Sequence, residues 1–108
     1  MSNLLKINVD NFETEVIESS IPVLADFAAD WCGHCKRLAP IVEEVAAEME
    51  GKVKIVHVDI DENQDTASEY NILSVPTLVL FKNGEEIGRN VGLISKSNLI
   101  DFINNNLA

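Results

Sequence analysis

Leu4 to Val9 alternates apolar and polar positions around Lys6 and Asn8, the period of a short strand. Asp10, with Glu13 three residues on, has the form of a capping box. It would open a helix on which Phe12 and Val16 share a face. Pro22 to Ala29 is an almost unbroken apolar run, interrupted only by Asp26, and fits a strand covered on both faces. From about Gly33 to Met49, Leu38, Ile41/Val42, Val45 and Met49 recur at helical spacing, with Pro40 inside the pattern and expected to kink it. Val53 to Asp59 predicts a strand. Asp61 or Asn63 would cap a short helix running through Tyr70. Thr77 to Lys82 and Glu85 to Val91 are two further strands, joined by Asn83-Gly84, the dipeptide of a tight hairpin turn. Ser95 is placed to cap a last helix carrying Leu99, Ile100, Phe102 and Ile103, and Asn104-Asn105-Asn106 reads as its fraying end.

The order is β-α-β-α-β-α-β-β-α. It predicts an α/β fold, a five-stranded mixed sheet flanked by four helices. Strands linked through helices are expected to run parallel, and the final hairpin to add an antiparallel strand.

Composition narrows the picture. The chain has 108 residues, 46% of them apolar. That is one domain, 1–108, able to bury roughly 65% of its unfolded surface. Two cysteines make no disulfide scaffold, so packing must hold the fold. A net charge of −10 without a basic stripe disfavours nucleic acid. No apolar run approaches the about 20 residues that cross a membrane. Met1 to Phe12 lacks a basic region followed by an apolar one, so no secretion signal is expected. With only two cysteines, that points to a reducing cytosol.

Both cysteines lie in Asp30-Trp31-Cys32-Gly33-His34-Cys35-Lys36, directly after the apolar strand and at the start of a helix. At i and i+3 their sulfurs meet on the first turn, within disulfide range. The free N–H groups and positive end of the helix stabilise a thiolate at Cys32, which makes it the attacking sulfur. Cys35, one turn deeper, is placed to resolve a mixed disulfide. Gly33 would allow a tight turn and the close approach of a partner backbone. Cys32, Cys35, His34 and His57 are enough in number for a Cys₂His₂ metal set. His34, however, is two residues from Cys32 and points away from the shared sulfur face, so no metal is expected. A buried carboxylate at Asp26 would have a raised pKa and could serve Cys35 as a general base. Imidazolium character at His34 favours a thiolate, which exists only in the reduced form, and so makes the disulfide a stronger oxidant. Lys36 adds positive charge nearby.

Trp31-Cys32-Gly33-His34-Cys35-Lys36 resembles the active site of thioredoxins and of the catalytic domains of protein disulfide isomerases. The likeness covers the whole chain. Val23-Leu24-Ala25-Asp26-Phe27 resembles the thioredoxin strand before the motif, Val75-Pro76-Thr77 its cis-proline loop, Phe81-Lys82-Asn83-Gly84 its hairpin, and Val91-Gly92 its substrate-side loop. Two departures stand out. His34 replaces the usual proline, as in the isomerases, and Ala28 replaces a common aromatic, leaving Trp31 as the only tryptophan.

The resemblance implies a protein-disulfide reductase and electron carrier. It would cycle between a dithiol and a Cys32–Cys35 disulfide and bind no cofactor of its own. Partners would be protein disulfides and a thioredoxin reductase, either flavin- and NADPH-dependent or ferredoxin-linked; the protein itself is expected to be a monomer. Asp26 would be the proton-transfer group, with His57 as its neighbour where thioredoxins often have lysine. Pro76 would follow a cis bond, and Trp31, Leu73, Val75, Gly92 and Leu93 would form a substrate rim. Two alternatives remain at this point: a disulfide isomerase or oxidase of folding proteins, and a non-catalytic binding subunit.

Overall fold

The computed structural model describes residues 4–108; the first three positions of the expected domain and of the N-terminal segment lie outside them. The elements are β1 (Leu5–Lys6), a π-helical turn (Glu13–Ile17), β2 (Val23–Ala28), α1 (Gly33–Glu48), β3 (Lys54–Asp59), α2 (Gln64–Glu69), β4 (Thr77–Lys82), β5 (Glu85–Val91) and α3 (Lys96–Leu107). The five strands form one mixed sheet in the order β1-β3-β2-β4-β5. Every residue of the central strand β2 is buried, Asp26 included, as expected of a nearly continuous apolar run covered on both faces.

Strand direction departs from the sequence expectation. β1, β3 and β2 are parallel, but β4 runs antiparallel to β2, and β5 antiparallel to β4. A helix therefore joins β3 to β4 without making them parallel. The reason is length: α2 has six residues, roughly 9 Å of helix, against roughly 20 Å for a six-residue strand. It does not carry the chain back along the sheet, and β4 begins at the end where β3 stopped. This brings the start of β4 beside the end of β2, where the cysteines lie.

The N-terminal segment also differs. Its strand shrinks to two residues, extended by the Ile7 amide donating to the His57 carbonyl at 2.8 Å. Asn8 and Asn11 end the strand by bonding locally. Asn8 Oδ1 accepts from the Asp10 and Asn11 amides, and Asn11 Nδ2 donates to the Lys6 carbonyl. Asp10 is therefore not a cap. Phe12 occupies the cap position of a five-residue π turn, with no side-chain cap bond. Asn63 stands at the start of α2, but its amide bridges the Ile7 and Asp59 carbonyls instead of capping. Ser95 does cap α3, accepting from the Asn98 amide. That helix continues through the asparagines to Leu107, and Asn106 is held by the Phe102 carbonyl and packed close against Gly88. α1 runs without interruption through Pro40.

The two faces of the sheet are covered separately. On one, Leu24, Leu78 and Leu80 meet Leu38, Val42 and Val45 of α1 and Leu99 and Ile103 of α3. On the other, Val23, Ala25, Phe27, Val56, Val79 and Phe81 pack with Val16 of the π turn and with Tyr70 and Ile72 after α2. Asn83 and Gly84 both adopt positive φ, as a two-residue hairpin turn requires, and Gly84 lies against Ile17.

Candidate active site

The end of β2 delivers the chain to α1 with Cys32 at the N-cap position, its backbone still extended. Its sulfur takes the place of a capping oxygen: Sγ accepts the Cys35 amide at 3.2 Å. From the opposite side Cys32 Sγ donates to the Val75 carbonyl at 3.6 Å. Cys35 follows within the first turn of α1, so one turn of helix places two free thiols in unlike surroundings. Both are shielded by Ala28 and Ala29, with Ile60 and Val75 packed against them. Burial pushes the Cys35 thiol up to about 12; the hydrogen bond with Cys32 acts the same way, and a backbone contact from Ala29 opposes it.

Beneath Cys35 lies Asp26. Alternation along β2 turns Leu24, Asp26 and Ala28 to the α1 side, so the carboxylate enters the face that carries the sulfurs. Asp26 is 5% exposed, and its Oδ1 has no hydrogen-bond partner. Burial alone raises its pKa from 3.8 to about 7. A cavity of about 280 Å³ connects Asp26 with Cys35, Lys36, Ala39, Lys6 and His57. A larger cavity of about 580 Å³ lies between β1, β3 and α1 and contains neither sulfur.

His57 is the register partner of Asp26 on β3, and Lys6 is that of His57 on β1. The three thus form one row across the sheet. Asp26 and His57 share the cavity, but no hydrogen bond or ion pair joins them. Burial lowers the His57 pKa, against the opposing pull of Asp59. His57 also lines a smaller polar pocket with Lys6, Asp30, Asp59 and Glu62.

The remaining predicted residues surround the sulfurs. The Val75–Pro76 bond is cis. Trp31 is 68% and Leu73 94% exposed, with Leu93 also exposed and Val75 half-buried. Gly92 has positive φ, its amide donates to the Pro76 carbonyl, and a Cβ there would meet nothing. His34 and Lys36 are exposed on the first turn of α1. Gly33 is the first helical residue and has no positive φ, so no tight turn demands it; a Cβ there would meet nothing, and the space above the sulfurs stays open.

Two aspartates escaped the sequence reading. Asp61 accepts the Trp31 indole N–H at 2.9 Å, and Asp59 shapes that loop by accepting the Asp61 amide. Water can satisfy an exposed indole N–H, so nothing in the sequence points to an acceptor thirty positions further on. Val91, which the resemblance put in the substrate-side loop, is exposed and extends the apolar surface beside Gly92. Among the described residues no group of three or more His, Cys, Asp or Glu is arranged to hold a metal ion. Among them, too, no helix is long and apolar enough to cross a membrane.

Residues 3–105 match the sequence profile of the thioredoxin family. The chain is 52% identical over 97 residues to a thioredoxin of Rickettsia conorii, covering 90% of this chain and 92% of that protein. It is 47% identical over 107 residues to a thioredoxin of Haemophilus influenzae, covering 99% and 100%. Thioredoxin 1 of a Nostoc species is 43% identical over the same length and coverage.

Proposed function

The chain belongs to the thioredoxin family and is a thiol–disulfide oxidoreductase, and on that premise we propose how its residues divide the work. The carrying observation is the asymmetry of the two sulfurs. Cys32 Sγ receives an amide N–H at a helix N-terminus, which stabilises negative charge on it, while Cys35 is held as a thiol by burial. Cys32 is the nucleophile. Its thiolate attacks one sulfur of a client disulfide, forms a mixed disulfide and releases the other client sulfur as a thiolate that takes up a proton. Asp26 then accepts the Cys35 proton through the shared cavity. Cys35 attacks Cys32 Sγ, the second client sulfur leaves and is protonated, and the Cys32–Cys35 disulfide closes. The client gains two electrons from the two cysteines and two protons, one passed on by Asp26 from Cys35 and the other from solvent, where ionisation of Cys32 had released one.

Disulfide substrates and a thioredoxin reductase are the family's partners. We read the reductase as flavin- and NADPH-dependent, with a ferredoxin-linked one as the alternative, and the protein as a cytosolic monomer that works as one 1–108 unit. The client peptide lies on Trp31, Leu73, Val75, Gly92 and Leu93, in the open space over Gly33 and Gly92. Pro76 holds the loop that offers the Val75 carbonyl to Cys32. His34, Lys36 and His57 tune charge around the sulfurs.

Alkylating the reduced protein at neutral pH is expected to label Cys32 first. C32S should abolish insulin-disulfide reduction, and C35S should accumulate mixed disulfides. Equal labelling of both cysteines, or trapping by C32S instead, would overturn the assignment.

A further inference from the structure

Glu86 and Arg89 are three apart on β5, a spacing that puts side chains on opposite faces of a regular strand. Here they share a face. Leu80 pairs with Gly88 and Phe81 with Glu86, so Ile87 is an extra, unpaired residue that shifts the register between them. The bulge reverses the alternation, and Glu86 and Arg89 both stand over the Phe81 side of the sheet. Glu86 then takes the guanidinium in a fork, with Arg89 Nε to Oε2 at 2.6 Å and Nη2 to Oε1 at 2.8 Å. Fixed this way, Arg89 reaches across to the end of α2. Nη2 donates to the Tyr70 carbonyl at 2.8 Å and Nη1 to the Asn71 carbonyl at 3.4 Å. These are carbonyls a helix end leaves unpaired, and a cation suits them. Asn71 has a φ of 55°, the left-handed turn that ends the helix.

The loop from Asn71 to Val75 leads from this point directly to Cys32. Its near end is tied by the Ile72 amide to the Ala67 carbonyl, and its far end by Thr77 Oγ1 to the Ser74 carbonyl. Between them Leu73 stands almost wholly in solvent, with little packing of its own. The position of Leu73 is therefore set by what grips the loop's ends, whereas Val75 is also held by its carbonyl on Cys32 Sγ and by its packing beside the sulfurs.

We propose that Arg89, oriented by Glu86 through the β5 bulge, is a positioning residue that latches the 71–75 loop and so fixes the wall on which client polypeptides dock. This rests on the reading of Leu73 and Val75 as client contacts. Arg89 touches neither the sulfurs nor the client. Losing it loosens client binding and leaves the sulfur chemistry alone.

The test compares R89Q, R89K and E86Q with the parent in four measurements: exchange of the hydrogen-bonded Asn71 and Ile72 amides, KM and kcat for insulin disulfides, the rate with a small aromatic disulfide, and urea unfolding. R89Q is expected to speed exchange at both amides and to raise the insulin KM roughly three- to tenfold. Its kcat and its small-disulfide rate should stay at parent values. R89K keeps the charge but loses the fork, and should resemble R89Q. E86Q is the milder variant, shifting exchange and KM in the same direction should R89Q not fold. Parent-like exchange and KM in R89Q, or in E86Q if R89Q does not fold, would overturn the latch. L73S separates the two readings. If L73S raises KM while R89Q only speeds exchange, the latch fails and the client wall stands. If neither raises KM, the client wall itself is wrong and the latch has no function to serve.

Discussion

On one face of β2, Val23, Ala25 and Phe27 meet Val56, Val58, Val79 and Phe81, and the polar groups that share it, Thr77 and the Glu86–Arg89 pair, are hydrogen-bonded. Phe12, Tyr70 and Phe81 close that face as an aromatic triangle, the Tyr70 and Phe81 rings perpendicular at 5.2 Å. On the other face, Leu24 and Ala28 flank Asp26, whose Oδ1 faces a cavity without a partner. The same six-residue strand thus builds stability on one side and carries a destabilising carboxylate on the other. The carboxylate lies under Cys35, the one place where a proton acceptor held near neutrality is useful. The difference teaches that the stable face permits the chemical one.

The largest expected effect tests the apolar face. Phe81→Ala should cost about 3–5 kcal/mol in urea unfolding while leaving the activity of the folded molecules unchanged. A loss under about 1 kcal/mol would show that stability resides elsewhere.

Asp26→Ala tests the other face and should have the opposite sign. A carboxyl whose pKa rises from 3.8 unfolded to about 7 folded binds more protons when folded between those values. Stability therefore falls as pH rises through that window, and the full penalty, about 4 kcal/mol, applies above it. Replacing Asp26 should stabilise the protein by a few kcal/mol at pH 8, less the cost of a small cavity, and by nothing near pH 3. It should also slow insulin reduction by removing the acceptor for the Cys35 proton. A gain independent of pH, or full activity, would make Asp26 a structural residue.

His34→Pro sharpens the comparison from the solvent side of α1. The first helical turn tolerates proline, so the fold should persist. Removing the imidazole should make the potential more negative by roughly 20–60 mV, about one to two tenfold steps for a two-electron couple. Glutathione equilibration of both proteins measures it, and identical potentials would leave His34 without an electrostatic role.

The smallest effect belongs to His57→Lys. A fixed positive charge lining the Asp26 cavity favours the ionised carboxylate, so the acid limb of the pH–rate profile should move down by about one unit or less. An unmoved acid limb would mean that residue 57 does not act on Asp26 electrostatically.

Much of this was legible in the sequence because it is local. The apolar run Pro22–Ala29 specified a strand buried on both faces. The spacing of Leu38, Val42 and Val45 specified the face of α1, Asn83-Gly84 the hairpin, and Ser95 the last cap. The cysteine pair at a helix start specified the redox chemistry, since spacing and helix polarity are properties of a short segment. Where local signals misled, the competitor was also local: Asn8 and Asn11 satisfied backbone groups that the strand and the capping box were expected to use.

Only the tertiary structure decided the direction of β4, the meeting of Val75 with Cys32, the Trp31–Asp61 bond, and the grip of Arg89 on Tyr70 and Asn71. Each joins residues far apart in the chain. A sequence records which groups need partners, through burial, charge and unpaired hydrogen-bonding capacity. Which partner each group meets depends on how the strands are ordered and where a bulge shifts their register, and those are set by the packing of the whole sheet.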